Sequence, residues 1–306
     1  MRMFFNLKRI INTKLFNYSA REILNLPAVN CGNGGSVVVV SQLCSRDLIM
    51  YLVAIKSFTR FISPIKVIIV GDRLSGEDIA TLNNNITNLE IINILDVDTD
   101  SFPKGGCWER LLTILDVCQD YYTIQLDADT ITLSMPEEVI KCISENKSFT
   151  LGTDMGQNIT SFREASRFLK DQNAANQHVQ ILAELSLEKI DEEDNLKYIR
   201  GCAAFAGFAK KEASREQIKN IARSIELIIG ENKWKEWGSE QVASNIAIAN
   251  SDNPLVLPVT KYHYYKPGID WGQFHFLHFV GSLRFSDGGY ARLAKRQIEM
   301  LKTSAF

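Results

Sequence analysis

The chain has 306 residues and is almost neutral, with 34 lysine and arginine residues against 36 aspartate and glutamate residues. This length is enough to bury one large core, and the charge balance excludes the global positive field that dominates nucleic-acid binding. The six cysteines are scattered without a C-x-x-C pair, which excludes a cysteine-ligated metal and is typical of a reducing compartment. Residues 1–26 interleave basic residues with short apolar pairs and lack the apolar run of a signal peptide or membrane span. We therefore expect a cytoplasmic protein with no nucleic-acid partner.

The first half of the sequence alternates short apolar runs with helical patterns. Strands are predicted at residues 37–40 (a run of four valines), 66–70, 90–95 and 122–126. Helices are predicted at residues 48–58, 75–82 and 108–118. Ser75 and Asp78 form a capping-box start for the second of these helices. The order predicts βαβ units in an open, doubly wound, mostly parallel sheet, which binds ligands beyond the carboxyl ends of its strands.

The second half of the sequence is more helical. A long polar helical region is predicted at residues 161–187, and an acidic loop follows at 188–194; together they resemble an insertion, to which we assign acceptor selection. Further elements are predicted as helices at 212–229 and 239–250, an aromatic-rich strand region from 255, and a basic amphipathic helix at 289–301. These elements define a basic N-terminal segment (1–35), a βαβ half (36–135), a second half with a helical insertion (136–287) and a basic C-terminal helix (288–306), within a single domain.

The fourth predicted strand runs directly into two carboxylates, Asp127 and Asp129, separated by one small residue. A strand repeat of two residues points both carboxylates to one side, at the edge where α/β folds bind ligands. Oxygen ligands suit a hard divalent cation, which would neutralise a departing diphosphate. The alternative is an ordinary solvated turn, because aspartate is common after strands.

A second cluster, F-L-H-F-V-G-S-L-R-F, lies at residues 276–285. In it, His278 offers an imidazole ligand, Gly281 allows the backbone to approach a phosphate, and the guanidinium of Arg284 matches phosphate oxygens. The alternative for His278 is a hydrogen-bonded core histidine.

Together these features resemble glycosyltransferase family 8: the order of βαβ strands, the arginine-containing helix, the L-D-x-D strand end and the late H-x-x-G-x-x-basic motif. The resemblance covers about residues 37–133 and 200–285. It implies a GT-A fold, with a Rossmann-like, mostly parallel central sheet flanked by helices, and transfer of a sugar from a nucleotide diphosphate sugar, taken to be a UDP-sugar. It also implies that Asp127, Asp129 and His278 hold Mn²⁺ or Mg²⁺ and that Arg284 contacts the donor diphosphate.

The resemblance extends to further site residues. It implies a donor contact for Arg110, whose alternative is a surface arginine, and base recognition at the end of the first strand, which Ser41, Gln42 and Leu43 occupy. Asp72, at the end of the second strand, is also assigned to donor binding. The segment G-S-E-Q-V-A-S-N at residues 238–245 resembles the family's D-Q-D helix start, which places Glu240 and Gln241 at the reaction centre. The alternative there is a plain helix N-terminus capped by Ser239.

Two other functions fit the same residues. The D-x-D-x-T pattern at Asp127 also resembles haloacid-dehalogenase-type phosphatases, in which Asp127 would be the nucleophile, although that family needs a downstream lysine and acidic pair. The second alternative is a catalytically silent module that binds nucleotide sugars. For the transferase, the expected partners are a nucleotide sugar and a glycan, lipid-linked or protein acceptor. The basic amphipathic ends add a peripheral membrane contact to this prediction.

Overall fold

A computed structural model of the chain describes residues 2–32, 34–171, 178–190 and 196–304. The helices are α1 Arg2–Ala20, α2 Leu48–Phe58, α3 Gly76–Asn85, α4 Trp108–Val117, α5 Glu137–Ser144, α6 Phe162–Asp171, α7 Val179–Ser186, α8 Arg215–Ile229, α9 Glu231–Trp234, α10 Ser239–Ala249 and α11 Gly289–Ser304. The strands are β1 Val37–Cys44, β2 Pro64–Asp72, β3 Leu89–Asn93, β4 Thr123–Leu126, β5 Thr130–Thr132, β6 Phe149–Leu151, β7 Thr160–Ser161, β8 Lys197–Tyr198, β9 Cys202–Phe208, β10 Leu255–Leu257, β11 Tyr262–Tyr264 and β12 Phe276–His278.

Seven strands form the central sheet, in the order β10-β6-β9-β4-β1-β2-β3. Strands β1, β2 and β3 are parallel neighbours, as are β6 and β10, whereas β9 runs antiparallel to β6. The four valines that begin β1 are buried, because a central parallel strand is covered on both faces. The α/β class and the mostly parallel sheet predicted from the sequence are confirmed.

The chain forms two compact units, each discontinuous in sequence. Unit 1 comprises Met1–Asn93, Leu126–Ile140 and Thr260–Phe306, and unit 2 comprises Ile94–Gln125 and Lys141–Val259. Unit 1 contains β1 to β3, the last residue of β4, and a second sheet with the order β11-β12-β5. This small sheet contains β12, the strand with which the second sequence cluster (276–285) begins, and so positions that cluster.

Helix α3 begins as its sequence predicted. The Ser75 hydroxyl accepts the Asp78 N–H at 3.2 Å, and the Asp78 carboxylate accepts the Ser75 N–H at 2.9 Å. Two N–H groups that the first turn leaves unpaired are thereby satisfied, which is the physical basis of a capping box.

The helical region predicted at residues 161–187 contains two helices in the described part of the chain. Helix α6 ends at Asp171, and α7 starts anew at Val179 with the imidazole of His178 accepting the Gln180 N–H at 3.3 Å. The polar residues between them (172–177) lie outside the described part of the chain, as do residues 191–195 of the predicted acidic loop.

The two terminal helices, α1 and α11, pack against each other in unit 1. Leu293 and Ile298 of α11 are fully buried, so its apolar side faces the protein as predicted, while Arg292, Lys295 and Arg296 are exposed. Within the described residues, no helix combines the length and the apolar character needed to cross a membrane.

Candidate metal and donor site

The two aspartates lie in a turn that joins β4 to β5. The Thr130 hydroxyl donates to the Asp127 carbonyl at 2.8 Å, and the Phe279 N–H donates to the Asp129 carbonyl at 2.8 Å. The side chain of Asp127 is half-buried, whereas that of Asp129 is 9% exposed. The segment is therefore a turn, but a buried and bonded one, unlike the solvated turn considered from the sequence.

His278 reaches the aspartates through the small sheet. Strand β12 runs antiparallel to β5, with His278 opposite Thr130 and Phe276 opposite Thr132. This register fixes the imidazole beside the carboxylate that precedes Thr130, and the His278 Nε2 lies 3.5 Å from Asp129 Oδ1. The sequence alone could not reveal this pairing, since each strand has only three residues and shows no alternating pattern.

Asp127, Asp129 and His278 form a cluster that fits a divalent cation. One ligand atom from each lies within 4.8 Å of the others. Atoms this close to one another could converge on one ion after small side-chain movements. Two carboxylates and one imidazole suit Mn²⁺ or Mg²⁺ better than a soft metal.

Arg284 belongs to the same cluster. Its Nη2 donates to Asp129 Oδ2, and its Nε donates to the Phe279 carbonyl at 3.1 Å. Burial acts to raise the pKa of Asp129, but His278 and then Arg284 outweigh burial and hold this pKa below its ordinary value. Asp129 is therefore an ionised carboxylate, which is the form that binds a cation.

Gly281 opens the short turn between His278 and Arg284. It has a φ of +47°, and a Cβ added there would meet no atom within 4 Å. The residue is exposed, so the backbone at this point is accessible, and the phosphate contact expected from the sequence stays a prediction.

The residues predicted to bind the base and donor lie on β1 and β2 of unit 1. Strand β1 continues to Cys44, so Ser41 is inside the strand, fully buried, with its hydroxyl donating to the Leu126 carbonyl at 2.7 Å. Gln42 is half-buried, and no donor in the described part of the chain reaches its Oε1. Asp72 ends β2 and pairs with Arg73 at 3.1 Å. Of the three, Gln42 carries a buried acceptor atom that lacks a hydrogen-bond donor in the described part of the chain.

The other predicted site residues lie in unit 2. Arg110 Nη2 is 3.2 Å from Glu240 Oε1, and both side chains are about 5% exposed. Arg110 is therefore not the surface arginine considered as an alternative. Buried charges are stable only when paired, so these two residues depend on each other.

The starts of α4 and α10 are joined by a second contact. The Trp108 indole N–H donates to the Ser239 hydroxyl at 2.8 Å, and both residues are fully buried. The suggestion that Ser239 caps α10 is wrong: Gly238, with a φ of +107°, precedes the helix, and Ser239 is its first residue. The Ser239 hydroxyl accepts the indole N–H of Trp108 and does not cap the helix.

Gln241 begins a chain of polar side chains, half-buried at Gln241 and Gln180 and buried at Glu184 and Tyr198, that sequence reasoning missed. Its Oε1 accepts the Ala203 N–H at 3.2 Å, and its Nε2 donates to Gln180 Oε1 at 3.1 Å. Gln180 in turn donates to Glu184, which also accepts the Tyr198 hydroxyl at 2.7 Å. Burial raises the pKa of Glu184. The only hint in the sequence is an acidic residue within the apolar run V-Q-I-L-A-E-L.

No protein-family model matches the chain, and no curated protein matches it. Solved structures do match. An active-site mutant of LgtC has a TM-score of 0.51 and 10% identity over 87% of this chain and 95% of LgtC. The galactosyltransferase LgtC in complex with donor and acceptor sugar analogs gives the same score and identity over 86% and 95%. The bifunctional glycosyltransferase WbbM has a TM-score of 0.44 and 12% identity over 83% of this chain, which spans about half of WbbM (47%).

LgtC and WbbM are both glycosyltransferases. At 10% identity, the similarity to LgtC concerns the fold. This chain has the mixed α/β GT-A fold that its sequence predicted.

Proposed function

We propose that the chain is a metal-dependent glycosyltransferase of the family 8 kind, which transfers a hexose from a UDP-sugar to a glycan, lipid-linked or protein acceptor. The observation that carries this proposal is the cluster of Asp127, Asp129 and His278, with ligand atoms within 4.8 Å, in a chain with the GT-A fold. These residues would hold Mn²⁺ or Mg²⁺, which acts as a Lewis acid on the leaving diphosphate.

Arg284 supports the same role by its present position. Its guanidinium donates to Asp129 Oδ2, which places a fixed positive charge beside the proposed metal ligands. From this position it would bind the diphosphate with charge-assisted hydrogen bonds. Gly281, at the exposed start of the same turn, allows the phosphate oxygens to approach the backbone.

The donor nucleotide would extend from this cluster towards the ends of β1 and β2. The half-buried Gln42 side chain would meet the base after a rotation that exposes its amide, and Asp72 provides an acceptor at the end of the next strand. Ser41 would contribute indirectly to donor binding. Its hydroxyl donates to the Leu126 carbonyl and so helps to fix the position of β1, which carries Gln42. A uracil-containing donor, which offers one N–H and two carbonyls, is the class that we assign here.

Arg110, Glu240 and Gln241 are assigned through the resemblance. Arg110 would contact the donor, and Glu240 and Gln241 would face the reacting sugar. Their bonding supports a positioning function: Arg110 fixes Glu240, and Gln241 is held at both ends of its amide. A group fixed in this way loses little entropy when it meets the sugar.

The test is the release of UDP from UDP-glucose and UDP-galactose in the presence of Mn²⁺, with and without chelator. Asp129→Asn is expected to lower metal-dependent turnover by about a hundredfold or more, because a loss of roughly 3 kcal/mol of transition-state stabilisation has that effect. The matched control is Asp270→Asn, the same change at an exposed aspartate of unit 1 outside the cluster. Calorimetric Mn²⁺ titration of both variants gives a second readout that does not depend on turnover.

Equal Mn²⁺ affinity and equal turnover in Asp129→Asn and Asp270→Asn would refute the metal site. Hydrolysis of phosphate monoesters with an acyl phosphate at Asp127, and no donor cleavage, would instead assign the phosphatase. Product NMR with the successful donor identifies the transferred sugar and its anomeric configuration.

A further inference from the structure

Helix α1 presents an apolar stripe to solvent. Its five members are between 44% and 82% exposed: Leu7, Ile10, Ile11, Leu15 and Tyr18. With 3.6 residues per turn they lie on one side of the helix, and the opposite side buries Asn12, Phe16 and Ala20. A helix at a protein surface normally turns its apolar side inwards, so this stripe is the reverse of ordinary packing.

The same surface concentrates positive charge. The α1 sequence has four basic residues and no acidic residue, and α11 has four basic residues and one acidic residue, in a chain whose net charge is −2. Lys8 and Lys14 lie along the apolar stripe and are exposed. The exposed side of the neighbouring helix α11 carries Arg292, Lys295 and Arg296.

The two helices have complementary roles in this surface. The apolar side of α11 is buried within unit 1, so α11 contributes only charged residues to this surface. Helix α1 is fixed by the Phe16 ring, which packs on Tyr290 with ring centroids 4.2 Å apart, and by Asn12, whose amide donates to the Phe285 carbonyl at 3.0 Å. Packing of the inner side of α1 therefore fixes the orientation of the helix, with the apolar stripe facing solvent.

Charge decides which partner fits the stripe. A second copy of this chain in a symmetric contact would bring Lys8 and Lys14 against their own counterparts, which is unfavourable. Aliphatic side chains and a tyrosine flanked by lysine and arginine are instead the composition of a helix that lies in the interface of an anionic bilayer. We propose that α1, together with the basic side of α11, binds the surface of an anionic lipid bilayer. This inference does not depend on the proposed transferase activity.

The test is flotation of the full chain with two kinds of vesicle: phosphatidylcholine alone, and phosphatidylcholine mixed with phosphatidylserine. We expect binding to the mixed vesicles at low salt and weaker binding as salt screens the basic residues. Lys8→Glu with Lys14→Glu is expected to weaken binding by more than about twentyfold, since each basic residue near an anionic surface contributes about fivefold.

The apolar contribution is tested by Ile11→Asp, which should abolish flotation, against the control Leu227→Asp. Leu227 is 71% exposed on α8, so the control introduces the same charge at an exposed apolar position away from both terminal helices. Circular dichroism establishes that both variants fold. Failure of the parent chain to float with the mixed vesicles at low salt, or equal flotation of the two aspartate variants, would overturn the proposal. A concentration-dependent dimer that Ile11→Asp dissociates, without vesicle binding, would assign the stripe to a second copy.

Discussion

The ion pair between Arg110 and Glu240 gives a quantitative test of the α4–α10 contact. Two unit charges 3.2 Å apart attract by about 5 kcal/mol at an effective dielectric constant near 20, and desolvation offsets part of this value. Because both side chains are buried, Arg110→Met or Glu240→Met alone should lower the free energy of unfolding by about 3–5 kcal/mol. The double variant should cost little more than either single change, since no buried charge is left unpaired. The expected coupling energy is therefore about 3 kcal/mol.

The assay is urea unfolding of the parent, the two single variants and the double variant, followed by both fluorescence and circular dichroism to verify a two-state transition. The control cycle uses Lys219 and Asp100, an ion pair of 2.7 Å in the same unit whose side chains are 41% and 52% exposed. Its coupling should be below about 1 kcal/mol. If the buried cycle is additive within about 0.5 kcal/mol, or equals the control, the reasoning from burial is wrong.

Three further changes have measurable outcomes. Arg284→Ala should weaken UDP binding in the presence of Mn²⁺ by roughly 10- to 150-fold, corresponding to about 1.5–3 kcal/mol, and equal affinity by calorimetry would contradict the diphosphate contact. Trp108→Phe should lower the free energy of unfolding by about 1 kcal/mol through the lost bond to Ser239, and an unchanged urea midpoint would contradict it. Burial lowers the pKa of Lys56 in the folded protein to about 8. A lysine in the unfolded chain has a pKa of about 10.4. Between these two pH values the unfolded state therefore binds more protons than the folded state. The unfolding free energy of the parent relative to Lys56→Met should therefore rise with pH in this window, by at most ~1.4 kcal/mol per pH unit, and a flat difference would contradict the shift.

The parts of the fold that were predicted from the sequence depend on local patterns. The valine run that begins β1 and the Ser75 capping box need no information from distant residues, and the structure contains both. Polar periodicity predicted the helical region at 161–187, but such a pattern does not show where one helix ends and the next begins. The N-cap at His178 is not among the common capping residues, so the start of α7 had no recognisable signal.

More of the candidate site could be predicted from the sequence in unit 1 than in unit 2. The aspartate pair was found from its position after a strand, and His278 from the family resemblance, although the pairing of β5 with β12 that joins them is invisible to periodicity. The bond between Trp108 and Ser239 and the ion pair of Arg110 with Glu240 join positions about 130 residues apart. Such partners are selected by tertiary packing, which no local sequence pattern specifies.

The antiparallel pairing of β5 with β12 also determines when the candidate site can form during synthesis. Arg284 and Asp129 are separated by 155 positions, and His278 lies on the same late segment. While the nascent chain ends before β12, the aspartate turn lacks both of the groups that hold Asp129 ionised. Closing so long a loop is costly in chain entropy and typically slow. Completion of the cluster of Asp127, Asp129 and His278 is therefore a late step that depends on docking of the C-terminal segment, which also completes the compact unit containing the two aspartates.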